Sequence, residues 1–382
     1  MKIFFDASEL TPSSAKSVGI YRYALGLFSA LLKQRAVDDE LVLVCNGDNE
    51  RDFNAACPGG DFTVVRVRQR MPGHLWRQWW MRLGCALQVR QHDADVYLSP
   101  KGFVPRGLAW PRRARRVAVL HDLIPFWYFR HAPGYFGQLE TWLVSDAFEH
   151  AFRKADRLVA ISQETAHALA EHGVPPERVS VVLNGVDPSV EVASRADLPV
   201  GVPQRFIFAM ASGLPHKNQR GVLAAYARYR SLVGGEPLPL VLCGASDVQQ
   251  AGVLSVGRVS DRALRALYQY ADLFVFLSLI EGFGYPPIEA LRVGTQTLCS
   301  ELGVLREVTG GLARHVDAGS AEQAGLAMHE LCASPWSSNQ REFLSREALG
   351  RIERHLSWER CAKGVLRVLR SDATSSDRLK VG

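Results

Sequence analysis

The sequence predicts an α/β fold, with parallel sheets wrapped by helices and divided between two domains. Three observations carry this. Apolar strand patterns alternate with amphipathic helix patterns along nearly the whole chain, which is the signature of parallel layering. The chain has 382 residues, more than one domain usually holds. The alternation stops once, over a polar, proline-containing stretch from about Val190 to Gln204, and restarts at RFIFAMAS.

In the first half, KIFFDA reads as a strand and GIYRYALGLFSALLK as an amphipathic helix. Strands ELVLVCNG and FTVVRVR follow, then an aromatic helix through LWRQWWMRLGCAL. DVYLSP and RRVAVLHD read as strands running into loops, TWLVSDAFEHAFRKA as a helix, DRLVAIS as a strand, QETAHALAEHG as a helix and VSVVLNGVD as a strand with its turn. The second half repeats the scheme: strand RFIFAMAS, helix GVLAAYARYR, strands LPLVLCG and VLSVGR, helix DRALRALYQYA, strand DLFVFLS, helix PIEALRVG and strand QTLCS. The polar end, SDATSSDRLKVG, reads as frayed.

Composition narrows the function classes. At 47% hydrophobic and 22% charged, the chain can fill packed cores. No run approaches the roughly 18 apolar residues that span a bilayer, and the opening MKIFFDASEL is a strand rather than a signal peptide, so a cytoplasmic location is expected. Seven widely spaced cysteines, with no CxxC pair, argue against a disulfide framework or zinc site. The net charge of +6 is local: twelve Lys or Arg lie between Arg66 and Arg116 against only Asp93 and Asp95, a net +10 that leaves about −4 for the remainder. Six of eight tryptophans (76, 79, 80, 110, 127 and 142) lie in the same half. Trp with Arg suits an anionic membrane surface or a lipid-linked partner, or simply a core helix with a solvated basic face. Nucleic acid is not expected, because no recognition motif accompanies the charge.

The sharpest motif is LIEGFGYPPIEALRVG, where Glu281 and Glu289 flank a Gly/Pro loop between an apolar strand and a helix. Glycines admit close backbone approach, and a helix N-terminus offers partial positive charge, which together suit a diphosphate. Glu289, read as lying in the first helical turn, could accept hydrogen bonds from a ribose diol. In ASGLPHKNQ, Lys217 follows a strand and could neutralise phosphate. In SVGIYRYALG, Gly19 opens a helix at a strand end, and in VLHDLIPF, His121 and Asp122 close a strand where α/β folds place ligand groups. His121 could bind a hydroxyl or shuttle a proton. HDAD resembles a metal-binding DxD, but Asp93 and Asp95 read more simply as a turn and strand-start pair, so no metal is expected.

These residues, in this order, resemble the family 4 glycosyltransferases of GT-B fold, in particular the bacterial mannosyltransferase-like enzymes of O-antigen, capsule and exopolysaccharide synthesis. The family's E-x7-E signature stands as Glu281 to Glu289, and GIYRYALG, HDLIP, DRLVAISQET, VVLNGVDP and GRVSDRALRALY are similar to family segments. The resemblance implies two Rossmann-like domains facing across a cleft. They would span 1–192 for the acceptor and 203–355 for the nucleotide-sugar, with a C-terminal helix in 356–382 returning to the first. It implies a retaining, metal-independent transfer of mannose or a related hexose, GDP-mannose favoured as donor, to a lipid-linked glycan or oligosaccharide, with no cofactor beyond the NDP-sugar. Glu289 would hold the ribose. Phe283, Gly284 and Tyr285 would offer amides to the diphosphate, Lys217 would neutralise it, and Gly19 would contribute from across the cleft. Glu281 would contact the sugar, Arg258 and Val259 would lie beside the base, and His121 near the reacting centre. The leaving phosphate would itself take the acceptor proton.

One departure stands out: His216-Lys217-Asn218 replaces the family's usual Arg-Lys-Asn. A lost permanent cation removes about 1–2 kcal/mol of charge-assisted bonding, and His216 would compensate only when protonated. Two other readings share the residues: an epimerase or hydrolase of the same fold, and a catalytically inactive glycan-binding protein.

Overall fold

The structure is a computed structural model and describes residues 1–12, 18–68, 73–107, 110–189, 191–245 and 248–371. The chain divides into two units, Met1–Gly185 with Leu356–Gly382, and Val186–His355.

The first unit holds strands β1 (Lys2–Asp6), β2 (Glu40–Cys45), β3 (Thr63–Arg66), β4 (Val96–Ser99), β5 (Arg115–Leu120), β6 (Arg157–Ala160) and β7 (Val179–Val181). They form a parallel sheet in the order β3-β2-β1-β4-β5-β6-β7. Its helices are α1 (Val18–Gln34), α2 (Glu50–Ala56), α3 (Gly73–Trp79), a π-helical turn (Trp80–Gly84) running into α4 (Cys85–Gln91), α5 (Ile124–His131), α6 (Gln138–Lys154) and α7 (Gln163–Glu171). Both sheet faces are covered, which is why the strands read as apolar runs. Phe4, Val42, Val44 and Tyr97 pack with Trp76 and Trp80 on one face, while Phe5 meets Phe28 of α1 at 5.2 Å on the other.

The second unit holds β8 (Ile207–Met210), β9 (Leu240–Cys243), β10 (Val253–Gly257), β11 (Leu273–Phe276), β12 (Thr297–Ser300) and β13 (Arg314–Val316), parallel in the order β10-β9-β8-β11-β12-β13. Helices α8 (Gln219–Leu232), α9 (Asp261–Tyr270), α10 (Tyr285–Arg292), α11 (Gly303–Thr309), α12 (Ala321–Cys332) and α13 (Ser338–His355) accompany them. In each sheet the connections first run one way from the founding strand and then the other. The order therefore reverses between β1 and β4 in the first unit and between β8 and β11 in the second. Ligands of open parallel sheets bind at the carboxyl ends of the strands at such reversals.

The last helix, α14 (Trp358–Arg370), belongs to the first unit. Its Trp358 lies against Gly26 of α1 and against Gly185. A Cβ on either glycine would fall 2.3 or 2.1 Å from the indole, so only glycine makes room for it. The sequence reading set this helix within 356–382 with a frayed end, and residues beyond 371 lie outside the described set. Nor does the stretch read as a linker hang free. Ala193 donates its N–H to Gln269 Oε1 at 3.0 Å, Ser194 caps a 3-10 turn over Arg195–Asp197, and Asp197 pairs with Arg262 at 2.7 Å, so residues 193–197 fold onto the second unit. The sequence pattern missed α2, α5, β13 and the helices from α11 to α13. No described helix is long and apolar enough to cross a membrane.

Candidate functional site

The strand-order reversal of the second sheet brings two loops together. The loop after β8 turns through the 3-10 segment Pro215–Lys217 and enters α8 at Asn218. Asn218 sits in the left-handed region (φ 52°), which Asn tolerates better than most residues. Its Oδ1 accepts from Gly221 N, capping α8. Its Nδ2 donates to the carbonyls of Leu277, at 2.9 Å, and Ala318, at 3.0 Å. Leu279 N donates to His216 O at 2.8 Å. The two loops are thus stitched through backbone before any charged group acts.

On that frame, Lys217 Nζ meets Glu281 Oε1 at 2.6 Å, with the lysine side chain 26% exposed and the glutamate 10%. The ammonium also lies 5.5 Å from the centroid of the Phe276 ring. A partly open lysine balanced by one carboxylate is a cation that an incoming phosphate can share. The glycine-proline loop follows directly. Gly284 caps α10 with φ 90°, and a Cβ there would strike Leu305 Cδ2 at 2.3 Å, so both backbone and space require glycine. The Phe283 and Tyr285 rings pack at 4.8 Å.

Glu289 takes a different partner. Helix α10 begins at Tyr285, so Glu289 is its fifth residue and lies beyond the first turn in which the sequence reading placed it. The Glu289 charge acts on the buried Tyr268 phenol, whose hydroxyl donates to Met210 Sδ at 2.9 Å. Burial, and then that carboxylate, hold the Tyr268 phenol well above its ordinary pKa, so it stays a neutral donor. Arg258, exposed, and Val259, half-buried, follow the edge strand β10. Strand β9 separates β10 from β8, so these two residues lie two strands from the ion pair.

The sequence left the charge of His216 open. It is buried, and desolvation, followed by the charge of Lys217, pushes its pKa down to about 4. At neutral pH it is uncharged and does not replace the family's arginine, which leaves Lys217 as the cation of this tripeptide.

In the first unit, His121 follows β5 and is buried. Its Nε2 lies 2.7 Å from Pro100 O. A carbonyl only accepts, so Nε2 carries the proton and Nδ1 is a lone-pair acceptor. Burial lowers this histidine to about 4 as well. Its Nδ1 can accept a bond from a hydroxyl but holds no proton to deliver at neutral pH. Gly19 is exposed in the first turn of α1, with open space where a Cβ would stand. Asp93 and Asp95 serve the backbone: Asp93 takes the left-handed conformation and pairs with Arg113, and Asp95 Oδ2 accepts from Lys2 N at 2.7 Å.

Sequence reasoning gave no role to Asn218, to Tyr268 or to Ser278, whose hydroxyl is buried without a hydrogen-bond partner three residues before Glu281. Asn just before a helix is a readable cap signal. Nothing local marks the other two.

The fold is that of a GT-B glycosyltransferase. It matches the crystal structure of Anabaena Alr3699/HepE, solved in complex with UDP and glucose, with a TM-score of 0.66 at 18% identity over 97% of this chain and 99% of that one. The model of Glycosyltransferase Family 4 matches residues 19–190, and that of Glycosyl transferases group 1 matches residues 193–349. The chain belongs to the family 4 glycosyltransferases, and it is similar to the O-antigen mannosyltransferases among them. It is 32% identical over 220 residues to the serotype-specific mannosyltransferase WbdA of Escherichia coli, covering 51% of this chain and 26% of WbdA. The chain thus spans about a quarter of the length of the first curated relatives it matches. It is 25% identical to O-antigen chain mannosyltransferase B of Escherichia coli over 94% of this chain and 97% of the relative.

Proposed function

We propose that the chain is a glycosyltransferase of bacterial surface polysaccharide synthesis. It transfers a hexose, mannose favoured, from an NDP-sugar, GDP-mannose favoured, to a lipid-linked glycan on the cytoplasmic side, with retention and without a metal. The observation that carries the reading is the Lys217–Glu281 pair set at the strand-order reversal beside the Gly284 cap. In this reading the second unit takes the donor. Lys217 and the amides of Phe283, Gly284 and Tyr285 meet negative charge as it grows on the diphosphate. Glu281 turns to the sugar hydroxyls, Glu289 to the ribose, and Arg258 and Val259 to the base. The first unit's contributions are Gly19 and His121, the latter as a hydrogen-bond acceptor for a sugar hydroxyl.

The bond from the sugar's anomeric carbon to the diphosphate breaks, its electron pair leaving with the diphosphate. The acceptor oxygen bonds that carbon, and its proton passes to the leaving phosphate. Support comes from the mannosyltransferase relatives and from the HepE complex with UDP and glucose. The test is a panel of labelled sugar nucleotides incubated with the protein and a lipid-linked acceptor extract. Label should move to the lipid fraction from one donor, with the anomeric configuration kept. Release of free sugar at the same rate with and without acceptor would make the protein a hydrolase and end the proposal.

A further inference from the structure

We infer that Tyr23 is a positioning residue for His121, and that Trp358 on the terminal helix fixes Tyr23 in turn. The inference rests on the proposed function, in which His121 accepts from a sugar hydroxyl, and adds the residues that aim its accepting nitrogen.

The imidazole needs aiming. Its Nε2 lies 2.7 Å from Pro100 O, and the Thr165 hydroxyl donates to the His121 backbone carbonyl at 3.3 Å. These contacts anchor one ring nitrogen and the main chain. One hydrogen bond fixes a point rather than a plane, so on that bond alone the ring would swing about Nε2 and carry Nδ1 with it. Tyr23 closes off that motion. Its ring centroid lies 4.8 Å from that of the imidazole, with the planes crossed at 86°, the edge-to-face packing that aromatic rings favour. Tyr23 is fully buried, and a side chain in a close-packed interior has little room to yield.

Tyr23 is itself held by Trp358, in the first turn of α14. The two ring centroids lie 5.9 Å apart. The indole occupies a slot cleared by Gly26 and Gly185, where no Cβ fits. Gly26 follows Tyr23 by three residues and Gly19 precedes it by four, so all three share one face of α1. The fit of Trp358 to Gly26 thus sets the register of a helix face that carries Tyr23 and Gly19 together.

Anchoring the terminal helix does not require that slot. At its other end, Arg370 pairs with Asp39, Arg115 donates to the carbonyls of Leu369 and Ser371, and Val365, Leu366 and Leu369 are buried. A glycine in mid-helix weakens α1 relative to alanine. The weakening makes sense where the indole must come close, beside the residue that touches His121.

The test joins kinetics to a spectrum of the ring. In the sugar-transfer assay, Tyr23→Leu should lower kcat at least about tenfold, the scale of a slightly misplaced group, with the donor KM kept within about twofold. Trp358→Leu, which leaves the Tyr23 contact in place, should lower kcat severalfold, and Tyr23→Phe, which keeps the ring, should restore it. Added to His121→Gln, Tyr23→Leu should cost nothing further, because both act through one imidazole. Nitrogen NMR of labelled histidine, with the His121 signals assigned by their loss in His121→Gln, should show the Nε2–H tautomer in the native chain and in Tyr23→Phe. In Tyr23→Leu and Trp358→Leu the two ring shifts should move towards each other. Arg370→Gln, at the far end of α14, should lower the melting temperature and leave kcat and the ring shifts native. Native ring shifts in both Tyr23→Leu and Trp358→Leu, or losses that multiply in the double variant, overturn the inference. A native chain that transfers no sugar ends the transferase reading separately, and the ring shifts still decide whether Tyr23 aims His121.

Discussion

At the strand ends of the second sheet, Lys217 and Glu281 hold opposite charges 2.6 Å apart and partly open to solvent. At the strand ends of the first, Glu9 pairs with Lys101 and Arg77 at 3.1 Å, and beside them Asp6 and His121 are buried. Burial raises the carboxyl of Asp6 even though Ser8, Trp80 and Tyr97 donate to it, and burial lowers His121 to about 4. Both regions hold an ion pair, but in the first it stands beside groups that burial shifts towards their uncharged forms. Under the proposed function, Lys217 would meet a diphosphate and the neutral His121 would accept from a hydroxyl.

The sharpest way to break the contrast is to remove charge from the second unit. Lys217→Met and Glu281→Gln should each cut turnover by about 10²–10³-fold, the scale of a lost transition-state contact. The melting temperature should hold within a few degrees, as for any partly exposed pair. A drop below tenfold would mean the pair is only a loop clasp.

The first unit's neutral histidine is read out by pH. With the folded pKa of His121 near 4 and the unfolded value near 6.5, the unfolded state binds more protons between the two. Its contribution is therefore fully present above pH 6.5 and lost as pH falls towards 4, about 3 kcal/mol at the limit. Urea midpoints measured across that range should drop more steeply in the native chain than in His121→Gln. Equal slopes would show that His121 is not held neutral.

A smaller effect is expected at the loop. Gly284→Ala imposes a side chain at φ 90° against Leu305 and should cost about 1–3 kcal/mol, part of which Leu305→Ala should restore. Smallest of all is His216→Gln. Because His216 is already uncharged, the pH–activity profile between about pH 6 and 8 should not change. A lost limb near pH 6.5 would show that His216 does act as a cation.

The strands were legible because central parallel strands are apolar on both faces, as Phe4 and Phe5 illustrate. Helix α5, IPFWYFRH, was not, because its aromatic residues are spread around the helix and leave no period to read. The stretch before Gln204 looked like a linker because its anchors, Gln269 and Arg262, lie more than sixty residues further on. At the site, the residue types were visible but their pairing was not. Lys217 and Glu281 meet only because β8 and β11 are neighbours in the sheet, and strand order is not a local property of sequence. The charge state of His216 was not legible for a related reason: its burial arises from how the two loops pack together.

The most direct test of the account is a calorimetric titration of nucleoside diphosphates into the native chain and into Lys217→Met. The expected result is saturable binding of one nucleotide to the native protein, weakened at least about tenfold in the variant. No binding at millimolar nucleotide, or equal affinity in both proteins, would contradict the claim that the Lys217–Glu281 loop pair seats a diphosphate.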